Sequence, residues 1–164
     1  KTYEFIEKCI VMPSHAEMRH LQFSRQQMFD LVADIEKYPE FLPWCIGLRI
    51  NNRDADLISA DMVIGYKMFR EQFTSKVKLN KPDRIDVMYE NGPFKYLNNR
   101  WIFIDKEDGS CAIDFYVDFE FNSKFMEKMV GSIFGEAVKV MVNAFESRAK
   151  IIYPNPSISG VNKY

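Results

Sequence analysis

Residues 111–121 read Cys-Ala-Ile-Asp-Phe-Tyr-Val-Asp-Phe-Glu-Phe, and the segment from Phe125 to about Ile151 abandons that rhythm for another. In the first stretch Ile113, Phe115, Val117, Phe119 and Phe121 alternate with Asp114, Tyr116, Asp118 and Glu120. Successive strand side chains point to opposite faces, so this is a half-buried antiparallel strand with one apolar and one wet face. In the second stretch Phe125, Met126, Met129, Val130, Ile133, Phe134, Ala137, Val138, Met141, Ala144 and Phe145 recur at i, i+3, i+4, i+7. That stripe predicts one long amphipathic helix of roughly seven turns, with Ser123 placed to cap it. The sheet's apolar face is the natural place for the helix to lie, which defines an α+β fold.

Working outward, the middle of the chain is strand-rich. Cys45–Ile50 reads as a strand and Asn51–Asp54 as a turn. Ala60, Met62, Ile64, Tyr66 and Met68 fall on one parity against Asp61 and Lys67. Phe69, Phe73, Val77 and Leu79 alternate with Arg70, Gln72, Thr74, Lys76 and Lys78. Ile85, Val87 and Tyr89 continue the pattern beyond the Lys81-Pro82-Asp83 turn, and Asn91-Gly92-Pro93 marks another turn. Tyr96–Asp105 is a strand with Leu97, Trp101 and Phe103 in phase, closed by an Asp108-Gly109 hairpin signal. Upstream, Glu17–Phe23 reads as a short strand. Ser24 and Gln27 form a capping-box pattern ahead of a helix whose apolar face is Met28, Phe29, Leu31, Val32 and Ile35. That helix ends before Pro39.

Residues 38–45, Tyr-Pro-Glu-Phe-Leu-Pro-Trp-Cys, connect this helix to the sheet. Pro39 and Pro43 exclude an ordinary helix interior, yet Tyr38, Phe41, Leu42 and Trp44 are too apolar for a casual surface loop. The segment is either a loop packed on the core or a lid over a hydrophobic cavity. A helix only about 10–12 Å across cannot cover the whole concave face of a twisted sheet. A cavity between helix, sheet and lid is therefore expected unless side chains fill it.

The 164 residues suit one domain: an extension over 1–17, a domain over 18–153 and a tail over 154–164. Fourteen Phe and nine Met supply either a thick core or a greasy pocket. A net charge of -1 gives no global field toward nucleic acid, so no DNA partner is expected. Cys9, Cys45 and Cys111 form no close pair, which points to a reducing compartment without a disulfide framework. No apolar run approaches the roughly 18 residues of a membrane span. Lys1–Glu17 lacks a secretory core and carries Glu4, Glu7 and Glu17, which argues against an intact transit peptide.

Strand parity also places three polar groups on the apolar face. Glu71 and Ser75 are in phase with Phe69, Phe73 and Val77, and Asn99 with Leu97 and Trp101. A buried polar group lacking a partner costs about 1–3 kcal/mol, so each needs an internal hydrogen bond, water or a ligand. Gly131 and Gly135, four apart on the last helix, mark either close packing or room for a guest. Constellations for catalysis are poor. His15 and His20 are the only histidines and, with Cys9, match no metal spacing. No Gly-rich phosphate loop or GxSxG elbow is present. The Arg70, Lys76 and Lys78 stripe reads as a solvated face or a patch for RNA or anionic lipid.

Several ungapped blocks in order resemble the coenzyme Q-binding START-like family, which includes the ribosome-association toxin RatA. They are residues 27–34 (QMFDLVAD) with Tyr38–Cys45, residues 70–75 (REQFTS), residues 92–95 (GPFK) with Trp101, residues 114–121 (DFYVDFEF) and residues 144–149 (AFESRA). The resemblance covers roughly Met18 to Tyr153. It implies a helix-grip, Bet v 1-like fold: a curved antiparallel sheet wrapped around a long C-terminal helix with an apolar cavity. It implies non-enzymatic binding of ubiquinone or a precursor as ligand rather than cofactor, with transient contact at a membrane surface. The alternative it implies is a regulator that binds a ribosomal subunit and blocks subunit joining. A cyclase reading has only Glu71 as acid or base. The expected location is the bacterial cytoplasm at the inner membrane, or the mitochondrial matrix. Expected lining residues are Phe29 on the first helix and Tyr38, Phe41, Leu42 and Trp44 in the lid. The strands contribute Met62, Phe69, Phe73, Phe94, Trp101 and Phe115, and the last helix Met129, Ile133, Phe134 and Met141. Glu71, Ser75 and Asn99 are the expected polar anchors.

Overall fold

Among the described residues seven strands pair in one antiparallel sheet, and the order β1-β7-β6-β5-β4-β3-β2 brings the first strand beside the last. The computed structural model describes residues 14–154; the N-terminal arm up to residue 13 and the tail from residue 155 lie outside the described residues. The strands are β1 (Ser14–Leu21), β2 (Cys45–Arg53), β3 (Leu57–Tyr66), β4 (Phe69–Asn80), β5 (Arg84–Asn91), β6 (Phe94–Asp105) and β7 (Cys111–Phe121). The helices are α1 (Arg25–Ala33), the single turn α2 (Tyr38–Phe41) after a 3₁₀ turn at Ile35–Lys37, α3 (Lys124–Gly131) and α4 (Phe134–Ile152).

Local chemistry sets the element ends. Ser24 Oγ accepts from the Gln27 amide at 3.1 Å while the Gln27 side chain accepts from the Ser24 amide at 2.9 Å, a complete capping box. Ser123 Oγ accepts from the Met126 amide at 3.4 Å and starts α3. Pro39 sits in the first turn of α2, where its missing N–H is no loss. At Gly92, φ is +143° and an added Cβ would lie 2.6 Å from the Cβ of Phe73. Only glycine fits that β5–β6 turn.

Four departures from the expected boundaries matter most for the fold. Strand β1 covers Ser14–Leu21 where Glu17–Phe23 was expected, because Ser14–Ala16 pair with the far half of β7 (Ser14 opposite Asp118) and satisfy its backbone. Strand β2 runs through Asn51–Arg53, expected as a turn; a bulge after Ile50 restores pairing, and Asn52 faces Ser59. Strand β3 stops at Tyr66, leaving Met68 in a two-residue hairpin tip.

The fourth departure concerns the final helix, expected as one unit. It is two, α3 and α4, broken at Ser132–Ile133. The Ile133 amide donates to Val130 O at 3.0 Å and Ser132 Oγ to Met129 O at 3.3 Å. Gly131 and Ser132 are weak helix formers, and the serine hydroxyl competes for a helix carbonyl. The apolar stripe continues through the break because periodicity reports a face, not continuity. Neither Gly131 nor Gly135 has a neighbour within 4 Å of an added Cβ, so close packing does not explain them.

The core divides in two. A large cluster joins α1, α4, the 34–45 segment and most of the sheet around Phe29, Phe103, Trp101 and Phe145. A smaller one, Phe73, Phe94, Phe119 and Phe121, sits under α3. Met62, Val117 and Phe134 bridge them.

Candidate functional site

The 34–45 segment is clamped rather than free. Tyr38 and Phe41 both meet the Phe145 ring edge-on at 5.3 Å. The Tyr38 hydroxyl donates to Val32 O, and Leu42 is buried. Burial pushes the Tyr38 phenol well above its ordinary value. Arg148 on α4 donates to Glu40 at 2.8 Å and lies over the Phe41 ring at 5.3 Å. Of the expected lid residues only Trp44 leaves this packing. It is half-buried, has φ +65°, and contacts Tyr66 at 5.8 Å near the β3–β4 hairpin.

Beside Trp101, side chains fill most of the space between the sheet and α4, the packed alternative to an open tunnel. Trp101 packs edge-on against Phe115 at 4.7 Å and against Phe145 at 5.0 Å. The space left beside them measures about 10 Å³, room for a single water at most. Phe29 is fully buried edge-on against Phe103 at 5.5 Å. Met141 is half-buried on the same cluster. Asn99 is committed internally: its Oδ1 accepts from Trp101 Nε1 and its Nδ2 donates to Tyr116 O, both at 2.9 Å.

The α3 end is built differently. Phe94 is ringed by Phe73, Tyr89, Phe119 and Phe121 at 4.7 to 5.6 Å. Phe134 stands on Phe119 at 4.9 Å, and Phe69 and Met62 close the cluster on the β3–β4 side. Met126 and Val130 of α3 cover it, yet α3 buries none of its residues. Ile133, at the joint, is half-buried. Met129 is exposed rather than lining the interior, because it lies on the solvent side of α3. Ser75 is buried in mid-sheet and Glu71 is half-buried toward this end. Among the described residues neither side chain is recorded in a hydrogen bond. Phe69, Phe73, Phe94 and Phe134 are thus brought together at one end, with Ser75 further along β4, while Phe29, Tyr38, Phe41, Leu42, Trp101 and Phe115 form the packed core.

Sequence reasoning missed a charged group on the concave face. His15, Glu17 and Arg19 are in register with Val117, Phe115 and Ile113 and so face inward. Arg19 donates to Glu17 at 2.6 Å and, across to α4, to Asn143 at 2.7 Å and Glu146 at 3.1 Å. Burial raises the Glu17 carboxyl, but the hydrogen bonds from His15 and Arg19 outweigh it and hold it below its ordinary value. The signal was the parity of β1 itself, legible once Leu21 is taken as an inward residue.

Nucleophile and metal chemistry find little here. Burial pushes the Cys45 and Cys111 thiols up to about 11, so neither offers a thiolate near neutrality. Among the described residues no group of three His, Cys, Asp or Glu could hold a metal, and Cys9 lies outside them. No described helix is long and apolar enough to cross a membrane.

A curved antiparallel sheet with a long C-terminal helix laid along its concave face defines the helix-grip, START/Bet v 1-like class. Residues 21–146 match the family described as polyketide cyclase/dehydrase and lipid transport, and the chain belongs to it. The ribosome association toxin RatA of Escherichia coli K12 is 35% identical over 88% of this chain and 91% of its own length. The mitochondrial coenzyme Q-binding protein COQ10 homolog B of Xenopus laevis is 32% identical over 85% of this chain and 59% of its own. The solution structure of the Caulobacter crescentus protein CC1736 is 31% identical, with a TM-score of 0.72 over 88% of this chain and all of that one.

Proposed function

We propose that this protein is a non-enzymatic carrier that takes a polyprenyl quinone, ubiquinone or a precursor, into the aromatic end of its helix–sheet interior. One observation carries the reading: an aromatic cluster roofed by a helix that buries none of its own residues. Such a roof costs little to displace, because apolar burial is what holds a helix to its domain. Displacement opens Phe73, Phe94, Phe119 and Phe134 to an isoprenoid tail, each methylene of which gains about 0.8 kcal/mol by leaving water. Ser75 is the hydroxyl at hand to donate to a quinone carbonyl, and Asn99 is already engaged. The open joint at Gly131–Ile133 supplies the hinge.

The test is organic extraction of protein purified from a quinone-rich host, followed by mass spectrometry and ultraviolet absorbance. A stoichiometric polyprenyl quinone is expected, reduced at least about tenfold by Ala137→Leu or Ser75→Leu, each of which places bulk against the tail. An empty extract with no uptake from quinone-loaded vesicles would sink the reading.

A second reading, regulation through a ribosomal subunit, is favoured by the comparisons: the likeness to the RatA toxin spans nearly all of that protein, whereas the likeness to the quinone-binding relative spans 59% of it. By likeness alone this reading stands ahead of the first. The exposed Arg70 and Lys78 on the outer face of β4 are cations available to phosphate, while Lys76 between them is paired with Glu90 at 2.9 Å. It predicts cosedimentation with one subunit that weakens steeply with salt and with Arg70→Glu/Lys78→Glu, as counterion release requires.

A further inference from the structure

We propose that the tip of the β3–β4 hairpin and the outer face of α3 together form a docking surface for an anionic lipid bilayer. The proposal rests on the lipid-carrying reading for its purpose but not for its evidence. Four large apolar side chains stand out at this end of the sheet: Met68 is 100% exposed, Phe125 71%, Ile46 51% and Met129 39%. Scattered single exposures need no explanation, but a cluster at one end of a domain does.

The two components are neighbours. Phe69, next to Met68, and Met126, next to Phe125, pack on the same Phe73–Phe94–Phe119 cluster. Ile46 lies against Gly65, two residues before the Lys67–Met68 tip, where an added Cβ would lie 3.1 Å from its side chain. The hairpin closes with only Lys67 and Met68 between the Tyr66–Phe69 pair. A two-residue hairpin favours Gly, Asn or Asp wherever φ is positive. Here Lys67 takes φ +55° instead. The chain therefore holds a cation where backbone preference asks for Gly, Asn or Asp, next to a fully exposed thioether. Trp44, beside this hairpin, is the other non-glycine residue with positive φ among the described residues.

Charge identifies the partner. Lys67, Arg70, Lys124 and Lys128 are all exposed, and among the described residues none has an ion-pair partner, though Lys67 lies over the Tyr66 ring. The acids of the same elements, Glu71 and Glu127, are half-buried. Apolar side chains ringed by free cations match an interface whose surface is anionic and whose interior is hydrocarbon. A second copy of the chain would bring cation against cation. The surface also borders the α3 roof, so docking and opening would occur at the same place.

Sedimentation with quinone-free vesicles tests the proposal separately from carriage. The probes are phosphatidylcholine vesicles with and without phosphatidylglycerol, at low and at high salt. Binding to the phosphatidylglycerol vesicles is expected, with a blue shift of Trp44 fluorescence while the buried Trp101 stays constant. Met68→Ser/Phe125→Ser is expected to weaken binding at least tenfold, and Lys67→Glu/Lys124→Glu to remove its salt dependence. These positions are exposed, so unchanged circular dichroism and melting temperature establish that the variants fold. Three results would overturn the proposal: no binding to anionic vesicles, equal binding by the Met68→Ser/Phe125→Ser variant, or a solution dimer that this variant dissolves. If vesicles bind but the extract holds no quinone, the carrier reading fails and the docking surface stands. If quinone co-purifies but vesicles do not bind, the reverse holds.

Discussion

At the α1 end of the sheet Met28, Phe29 and Ala149 are wholly removed from solvent, and Arg25 reaches both Asp83 and Asp105 to close the turns. At the α3 end an eight-residue helix with four apolar side chains buries none of them, and the strands beneath close on a hairpin with a left-handed lysine. The same sheet and the same kind of residues serve both ends. They differ in what lies on top: a helix locked by aromatic contacts through Phe145 and by Arg19, against a helix resting on rings. Stability in a domain is not uniform, and the elements that must move are drawn from its weak end.

The contrast breaks most simply by truncation. Phe29→Ala is expected to cost about 3–5 kcal/mol, read from urea unfolding, because it empties a site with no room to collapse. Phe125→Ser is expected to stay within about 0.5 kcal/mol of the parent. A loss below about 1 kcal/mol at Phe29, or above it at Phe125, would erase the distinction. Hydrogen exchange sharpens it. Amides of Val142–Ala149 are expected to open only with global unfolding, and those of Met129–Gly131 about 3 kcal/mol sooner, a difference of about 100-fold in protection. Equal protection would make α3 part of the rigid core and remove the carrier's door.

Much of this was legible beforehand. The alternation of Ile113–Phe121 fixes one face of β7, and the Ser24/Gln27 pair announces α1 where the capping box then forms. The break at Ser132 was not legible, since the apolar stripe passes through it unchanged. Nor was the clamping of Tyr38 and Phe41, whose partner Phe145 lies more than 100 residues away. A filled interior and an open tunnel demand the same apolar residues, so composition cannot separate them. The inward charges of β1 escaped because period and polarity disagree there. An inward His-Glu-Arg series is polar on the face where a strand is read as apolar, and only its partners on α4 explain it.

The smaller effects probe what holds each end. Lys67→Gly is expected to stabilise the protein by about 1 kcal/mol, a few degrees in melting temperature, by relieving the left-handed backbone at the α3 end. An unchanged or lower melting temperature would mean that the tip carries no strain. Acid should act at the other side of the contrast. Glu17 titrates below its ordinary value in the folded protein. The stabilisation it contributes is therefore present above the unfolded-state value and is lost as pH falls through the lower, folded-state one. Glu17→Gln should reduce stability at pH 7 by less than about 1 kcal/mol, since the pair is partly solvated. The gap between variant and parent should then close as the pH is taken below the ordinary carboxylate range. Hydrogen exchange should place this loss in α4, which Arg19 joins to β1, and leave α3 unaffected. A pH-independent gap, or one felt equally in α3, would mean that Glu17 acts through packing and not through the charge that orients Arg19.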